Sequence, residues 1–128
     1  HKFINAILES KEIEVYGDGN QTRDFTYISD IVEATVSAID APDGEIFNIG
    51  GGSRVGLNEA INIIEELMQK EAKIKFISYQ KGDVRDTFAD LTKANNLMKY
   101  KPKVRLREGL KKEVEWMKIF DFAAKVKK

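Results

Sequence analysis

The sequence predicts an α/β fold built from short strands with helices packed on them. Strand-like and helix-like segments alternate along the chain, the strands number about four and are very short, and one helix, from about Asn58, is plainly amphipathic. So few strands leave unpaired edges unless they join another sheet, so the fold is expected to dock on a neighbouring domain. The 128 residues are expected to form one folding unit with a real core.

The first segment, Phe3 to Glu9, has Phe3, Ile4, Ile7 and Leu8 at helical spacing and reads as the last turns of a helix. Ile13 to Tyr16 alternates apolar and polar residues and then enters the turn cluster Gly17-Asp18-Gly19-Asn20. Arg23 to Ile28 reads as a second extended segment, with Phe25 and Tyr27 on one face. Asp30 is expected to cap a helix from Ile31 whose stripe is Val32, Val36 and Ile39, ending before Pro42. The Asp43-Gly44 turn leads into a strand at Glu45 to Ile49, closed by Gly50-Gly51-Gly52.

Asn58 is expected to cap the amphipathic helix, which carries Leu57, Ala60, Ile61, Ile64, Leu67 and Met68 on one face. Lys73 to Ser78 reads as a strand and residues 82–87 as a polar loop. Thr92 is expected to cap a short helix through Tyr100, stopped by Pro102. Leu106, Leu110, Val114, Met117 and Phe120 mark a terminal helix, followed by a basic tail at residues 125–128.

Composition excludes several function classes. Lys plus Arg is 21 and Asp plus Glu is 21, so no global field draws the chain to nucleic acid or to an acidic membrane. No apolar run approaches the roughly 20 residues a spanning helix needs. There is no cysteine, which removes disulfides, thiol catalysis and Cys-based metal sites, and His1 is the only histidine, which leaves no histidine relay. The chain opens His1-Lys2-Phe3 with no initiator methionine, and it is expected to be a piece of something longer.

Three local patterns invite chemistry. The triple glycine stands between a strand and a helix, as a dinucleotide fingerprint does, yet Val55 occupies the last glycine position, so a plain turn with positive φ is expected. Asp83, Asp86 and Asp90 suggest a hard cation, but Arg85 competes for their charge, so a salt-bridged polar loop is expected. Tyr16, Phe25, Tyr27 and Trp116 read as core or edge aromatics. Arg23 and Arg85 each follow a glycine-containing turn, where a guanidinium fork can clamp phosphate or carboxylate; the alternative is pairing with the adjacent Asp24 or Asp86.

The run Val15-Tyr16-Gly17-Asp18-Gly19-Asn20-Gln21-Thr22-Arg23-Asp24-Phe25-Thr26-Tyr27-Ile28-Ser29-Asp30, then Phe47-Asn48-Ile49-Gly50, then Gly82-Asp83-Val84-Arg85-Asp86-Thr87 with Ala89-Asp90, resembles the C-terminal half of a nucleotide-sugar epimerase/dehydratase. These are extended short-chain dehydrogenases, and the resemblance covers Phe3 to about Phe120. It implies that residues 1–128 are the C-terminal substrate-binding portion, with the Rossmann domain largely absent. No Tyr-x-x-x-Lys pair is present, since the tyrosines are followed four places on by Asn20, Ile31, Asp83 and Val104. Catalytic and NAD-binding residues are therefore expected outside this chain.

What the resemblance assigns here is substrate binding. Val15 and Tyr16 would line the nucleobase, Arg23 would hold the diphosphate and Asp83 the ribose, with Gln21, Gln80 and Arg85 completing the set. Relatives often carry an arginine where Gln80 stands; Arg85 or Lys81 would supply the missing charge. The resemblance implies a cytoplasmic, homodimeric parent enzyme that uses NAD and a UDP-sugar to epimerise C4. A dehydratase, a decarboxylase, or a non-catalytic nucleotide-binding or oligomerisation module is the alternative. The isolated chain is expected to be inactive.

Overall fold

The computed structural model describes residues 1–126. Its elements are α1 (Lys2–Leu8), β1 (Glu12–Tyr16), β2 (Thr22–Asp24), α2 (Ile28–Ser37), a 3-10 turn (Ala38–Asp40), β3 (Arg54–Gly56), α3 (Leu57–Met68), β4 (Lys73–Ile77), α4 (Thr92–Met98) and α5 (Leu106–Val126). The chain separates into two compact units, and no linker-like composition announces the division because the chain passes between them repeatedly. The first unit takes His1–Gln21, Gly56–Asp83 and the chain from Arg107; the second takes Thr22–Val55 and Val84–Leu106.

In the first unit β1 and β4 pair in parallel, with Glu12 opposite Lys73 and Tyr16 opposite Ile77. Alternation along β1 sends Ile13 and Val15 inward, where they join Ile4 and Ile7 of α1, Ile61, Ile64 and Met68 of α3, and Val114 and Met117 of α5. The expected apolar face of α3 is thus the inner one. That helix starts one residue before Asn58, after Gly56, and ends at Gln69 in the left-handed region with φ 53°. Asn58 is not its cap: its side-chain amide donates to the Asp18 carbonyl at 3.1 Å.

The second unit has a smaller core of Ala34, Ala94 and Tyr100, flanked by Phe47, Ile49, Leu91 and Met98. β2 and β3 form its short sheet. The extended segment expected from Arg23 to Ile28 stops at Asp24, because its partner is only three residues long, and α2 begins at Ile28. Asp30 lies inside the first turn of α2, 2% exposed, rather than capping it. Its carboxylate accepts the backbone N–H groups of Lys103 and Val104, both at 3.2 Å, so the helix begins without it.

The stripe Val32, Val36 and Ile39 is exposed, as is Ile46; Asp30 and Ala34 take the inner face of α2. Glu45–Ile49 forms no strand, since no other described segment pairs with it. In α4, Leu91 stands at the capping position without a side-chain cap bond; Thr92 is already the first helical residue, and its N–H donates to Asp90 at 2.9 Å. Trp116 is half exposed, in a tilted contact with Phe120 at 4.4 Å between centroids, and Tyr16 is also exposed, so both are edge rather than core aromatics. Helix α5 runs on to Val126, into the expected basic tail, whose last two residues lie outside the described residues.

Candidate functional site

In the first unit, parallel pairing makes both strands leave their sheet at the same edge, with Gly17 N–H extending the ladder to the Ile77 carbonyl at 2.8 Å. The loops 17–21 and 78–83 therefore emerge together at the carboxyl edge, where parallel sheets of α/β proteins bind ligands. These loops, with the end of β1, carry Val15, Tyr16, Gln21, Gln80 and Asp83. Val15 itself is 1% exposed, so its side chain belongs to the core and only its backbone faces the strand end. Tyr16 is exposed beside it.

Gly17 and Gly19 adopt φ of 71° and 72°, which glycine reaches without strain. A Cβ on Gly17 would fall 2.1 Å from the Tyr79 ring, so the aromatic of one loop lies directly on the glycine of the other. Asp18 accepts the Asn20 backbone N–H at 3.0 Å, and that bond holds its carboxyl below the usual range. The N-terminal amides of α3 secure this loop: Leu57 N–H donates to the Gln21 carbonyl at 3.0 Å and Asn58 N–H to the Gly19 carbonyl at 3.1 Å.

Gln21 is 9% exposed; its Nε2 donates to the Tyr16 carbonyl at 3.1 Å, and its Oε1 is buried with no partner. Gln80 and Asp83 close a β-turn, Asp83 N–H to the Gln80 carbonyl at 3.1 Å, with Gly82 at φ 91°. Both side chains are on the surface.

The second unit holds the two arginines. Arg23 on β2 donates through Nη1 to the carbonyls of Thr22 at 2.8 Å and of Arg85 at 3.0 Å. Segment 85–89 is laced to β2 at further points: Thr22 N–H to the Arg85 carbonyl at 3.0 Å, and Thr87 N–H to the Thr22 carbonyl at 3.2 Å. The Thr22 hydroxyl donates to Asp86 Oδ1 at 2.5 Å. That bond, aided by the charges of Arg54 and Arg85, keeps the Asp86 carboxyl below its ordinary range. Asp24 takes backbone N–H groups, Gly51 on Oδ1 at 2.8 Å and Ala89 on Oδ2 at 3.1 Å.

The contacts of Asp24 explain the triple glycine. A Cβ on Gly50 would come within 2.4 Å of Asp24 Oδ2, and one on Gly51 within 1.9 Å of the Phe25 carbonyl. Only Gly52 has positive φ, 72°. With the Gly51 amide engaged by a carboxylate, this turn does not fit the pyrophosphate of a dinucleotide, which needs free amides and no neighbouring anion. No group of carboxylates able to hold a metal ion occurs among the described residues. No helix among the described residues is long and apolar enough to cross a membrane.

Sequence reasoning missed Thr22, Asp24, Asn58 and Tyr79. The bonds of Asp24 span 27 and 65 positions, so no local pattern carries them.

Comparisons place these motifs. Residues 1–50 match the family described as NAD dependent epimerase/dehydratase. A UDP-glucuronate 4-epimerase from Thermodesulfobacterium geofontis is 42% identical over 118 residues, covering 91% of this chain and 36% of that protein. A UDP-N-acetyl-alpha-D-glucosaminuronate decarboxylase from Bacillus cytotoxicus is 36% identical over 124 residues, covering 91% of this chain and 39% of that one. The crystal structure of a UDP-glucuronic acid 4-epimerase from Bacillus cereus, in complex with UDP-glucuronic acid and NAD, superposes with a TM-score of 0.88. It is 37% identical and covers 94% of this chain and 39% of that one.

The fold is therefore part of the extended short-chain dehydrogenase architecture, whose full-length neighbours bind NAD. The chain is similar to NAD-dependent epimerase/dehydratase proteins and spans less than half the length of these relatives.

Proposed function

We propose that this chain is the C-terminal, nucleotide-gripping part of an NAD-dependent UDP-sugar 4-epimerase, and that its residues bind and position while the bond-making groups lie elsewhere in a longer polypeptide. The observation that supports the reading is the hydrogen bond from the Arg23 guanidinium to the Arg85 carbonyl, which ties the backbone carrying Arg85 to β2, so that both arginines would serve one diphosphate. The resemblance gives the nucleoside to Tyr16, the Val15 backbone, Gln21 and Asp83. Gln80 is neutral where an arginine is common among relatives, so Arg85 supplies the second charge.

Anchoring the nucleotide is what an epimerase needs from such residues. The sugar must turn over between removal and return of hydrogen, and fixing the diphosphate lets it turn without leaving. The exposed side of α2, with Val32 and Val36, Ile39 of the 3-10 turn after it, and the unpaired segment 45–49 then become the surface covered by an N-terminal Rossmann domain. The same reading takes the parent as a cytoplasmic homodimer.

Arg23→Ala in the full-length enzyme should weaken UDP-sugar binding by about 2–5 kcal/mol, the cost of deleting one partner of a desolvated charge pair. Unchanged affinity by calorimetry would defeat the assignment. UDP-glucuronate is the first substrate to test, given the names of the similar proteins. NMR of the products separates the 4-epimer from loss of CO2, the outcome that similarity to a decarboxylase favours.

A further inference from the structure

We infer that Thr22 and Asp24, the residues on either side of Arg23, are positioning residues that hold segment 85–89 and thereby aim Arg85 at the diphosphate. This inference rests on the nucleotide-gripping reading above. Successive side chains of one strand project to opposite faces, so three neighbours seldom serve one segment. Here they do. The Thr22 hydroxyl binds Asp86, the Arg23 guanidinium binds the Arg85 carbonyl, and the Asp24 carboxylate binds the Ala89 N–H.

The second oxygen of Asp24 holds the Gly51 N–H, which ties the same carboxylate to the glycine turn. Gly50 and Gly51 leave room for this arrangement, since side chains there would strike the Asp24 carboxylate and the Phe25 carbonyl. Segment 85–89 forms no helix or strand of its own, apart from the isolated pairing of Thr22 with Asp86. An arginine on an irregular segment spends its binding energy on ordering itself unless something else fixes the backbone. Thr22 and Asp24 supply that fixing, and neither is expected to touch the ligand.

Both oxygens of Asp24 accept an N–H. Asp24→Asn replaces one acceptor by an amide donor facing a donor, at nearly unchanged volume. Thr22→Val deletes only the hydroxyl and keeps a β-branched residue suited to a strand.

The test is calorimetry of the full-length enzyme with UDP and with uridine, which has no phosphates. For UDP we expect affinity losses of about 10- to 100-fold for Asp24→Asn and about 3- to 10-fold for Thr22→Val. Uridine affinity should stay within about twofold, and both losses should shrink to about twofold or less in an Arg85→Ala background. Amide exchange of residues 85–89 in the ligand-free enzyme should quicken in both variants. If Asp24→Asn does not fold, Thr22→Val alone carries the test.

Unchanged UDP affinity, equal losses for UDP and uridine, or undiminished losses in the Arg85→Ala background would overturn the positioning role. A wild-type enzyme that does not bind UDP, or an Arg85→Ala enzyme that binds it normally, would instead overturn the nucleotide-gripping reading beneath it.

Discussion

The two units are held together by different physics. The first buries a contiguous apolar cluster reaching from α1 to α5, with Ile4 and Ile61 fully enclosed. The second has a smaller apolar cluster, Ala34, Ala94 and Tyr100, and its irregular segments are fixed by polar groups: Asp24 on two amides, Asp30 on two more, and Tyr100 Oη on the Gly50 carbonyl at 2.9 Å. Apolar burial is non-directional and tolerates small shifts, whereas a carboxylate gripping two N–H groups fixes backbone to a fraction of an ångström. The unit bearing both arginines is the one built by the directional method.

The largest expected effect tests the apolar side of this contrast. Ile61→Ala in the full-length protein should cost about 2–5 kcal/mol in chemical denaturation, because a fully enclosed site leaves a cavity. A cost under about 1 kcal/mol would mean that α3 is not seated as described. Next in size is Asp30→Asn, which should cost about 1.5–3 kcal/mol, because both N–H groups bond one carboxylate oxygen and the neutral amide oxygen in its place has lost the charge that strengthens both bonds. If Asp30→Asn were neutral, polar fixing would not describe the second unit.

Tyr100→Phe comes third and adds a dependence on pH. Deleting the hydroxyl leaves the Gly50 carbonyl buried and unpaired, at about 1–2 kcal/mol. Burial, with the charges of Asp30, Asp24 and Glu33, raises the Tyr100 pKa above its ordinary 10.0. The folded state therefore favours the neutral phenol. That preference is fully present below pH 10 and is lost as pH rises through the folded value, so wild-type stability should fall at alkaline pH more steeply than that of Tyr100→Phe. Parallel alkaline stability curves would contradict the raised value.

How much of this was legible in the sequence follows the same division. The alternation of β1 and the inner face of α3 could be read directly, because apolar periodicity reports a buried side whatever covers it. On α2 the same signal pointed to Val32, Val36 and Ile39, which are exposed here, since periodicity does not say which neighbour does the covering. Caps were misread at Asp30, Asn58 and Thr92. In the first two the side chain serves backbone distant in sequence, and Thr92 is already helical, its N–H held by Asp90 two places earlier. Arg23 and Arg85 stood out through their turns, while Thr22 and Asp24 did not, because their partners are more than 20 positions away and leave no local spacing.

The smallest expected effect marks where the polar argument stops. Arg107 and Glu66 approach to 2.6 Å in the first unit, a closer contact than either bond of Asp30, yet both side chains are more than half exposed. In water the attraction is screened and two long side chains must be ordered to make it, so Arg107→Ala should cost under about 1 kcal/mol and less still in high salt. Denaturation at low and at molar salt measures both. A cost matching that of Asp30→Asn would mean that hydrogen-bond length, rather than enclosure, sets the strength of polar contacts in this protein, and the contrast between its two units would lose its basis.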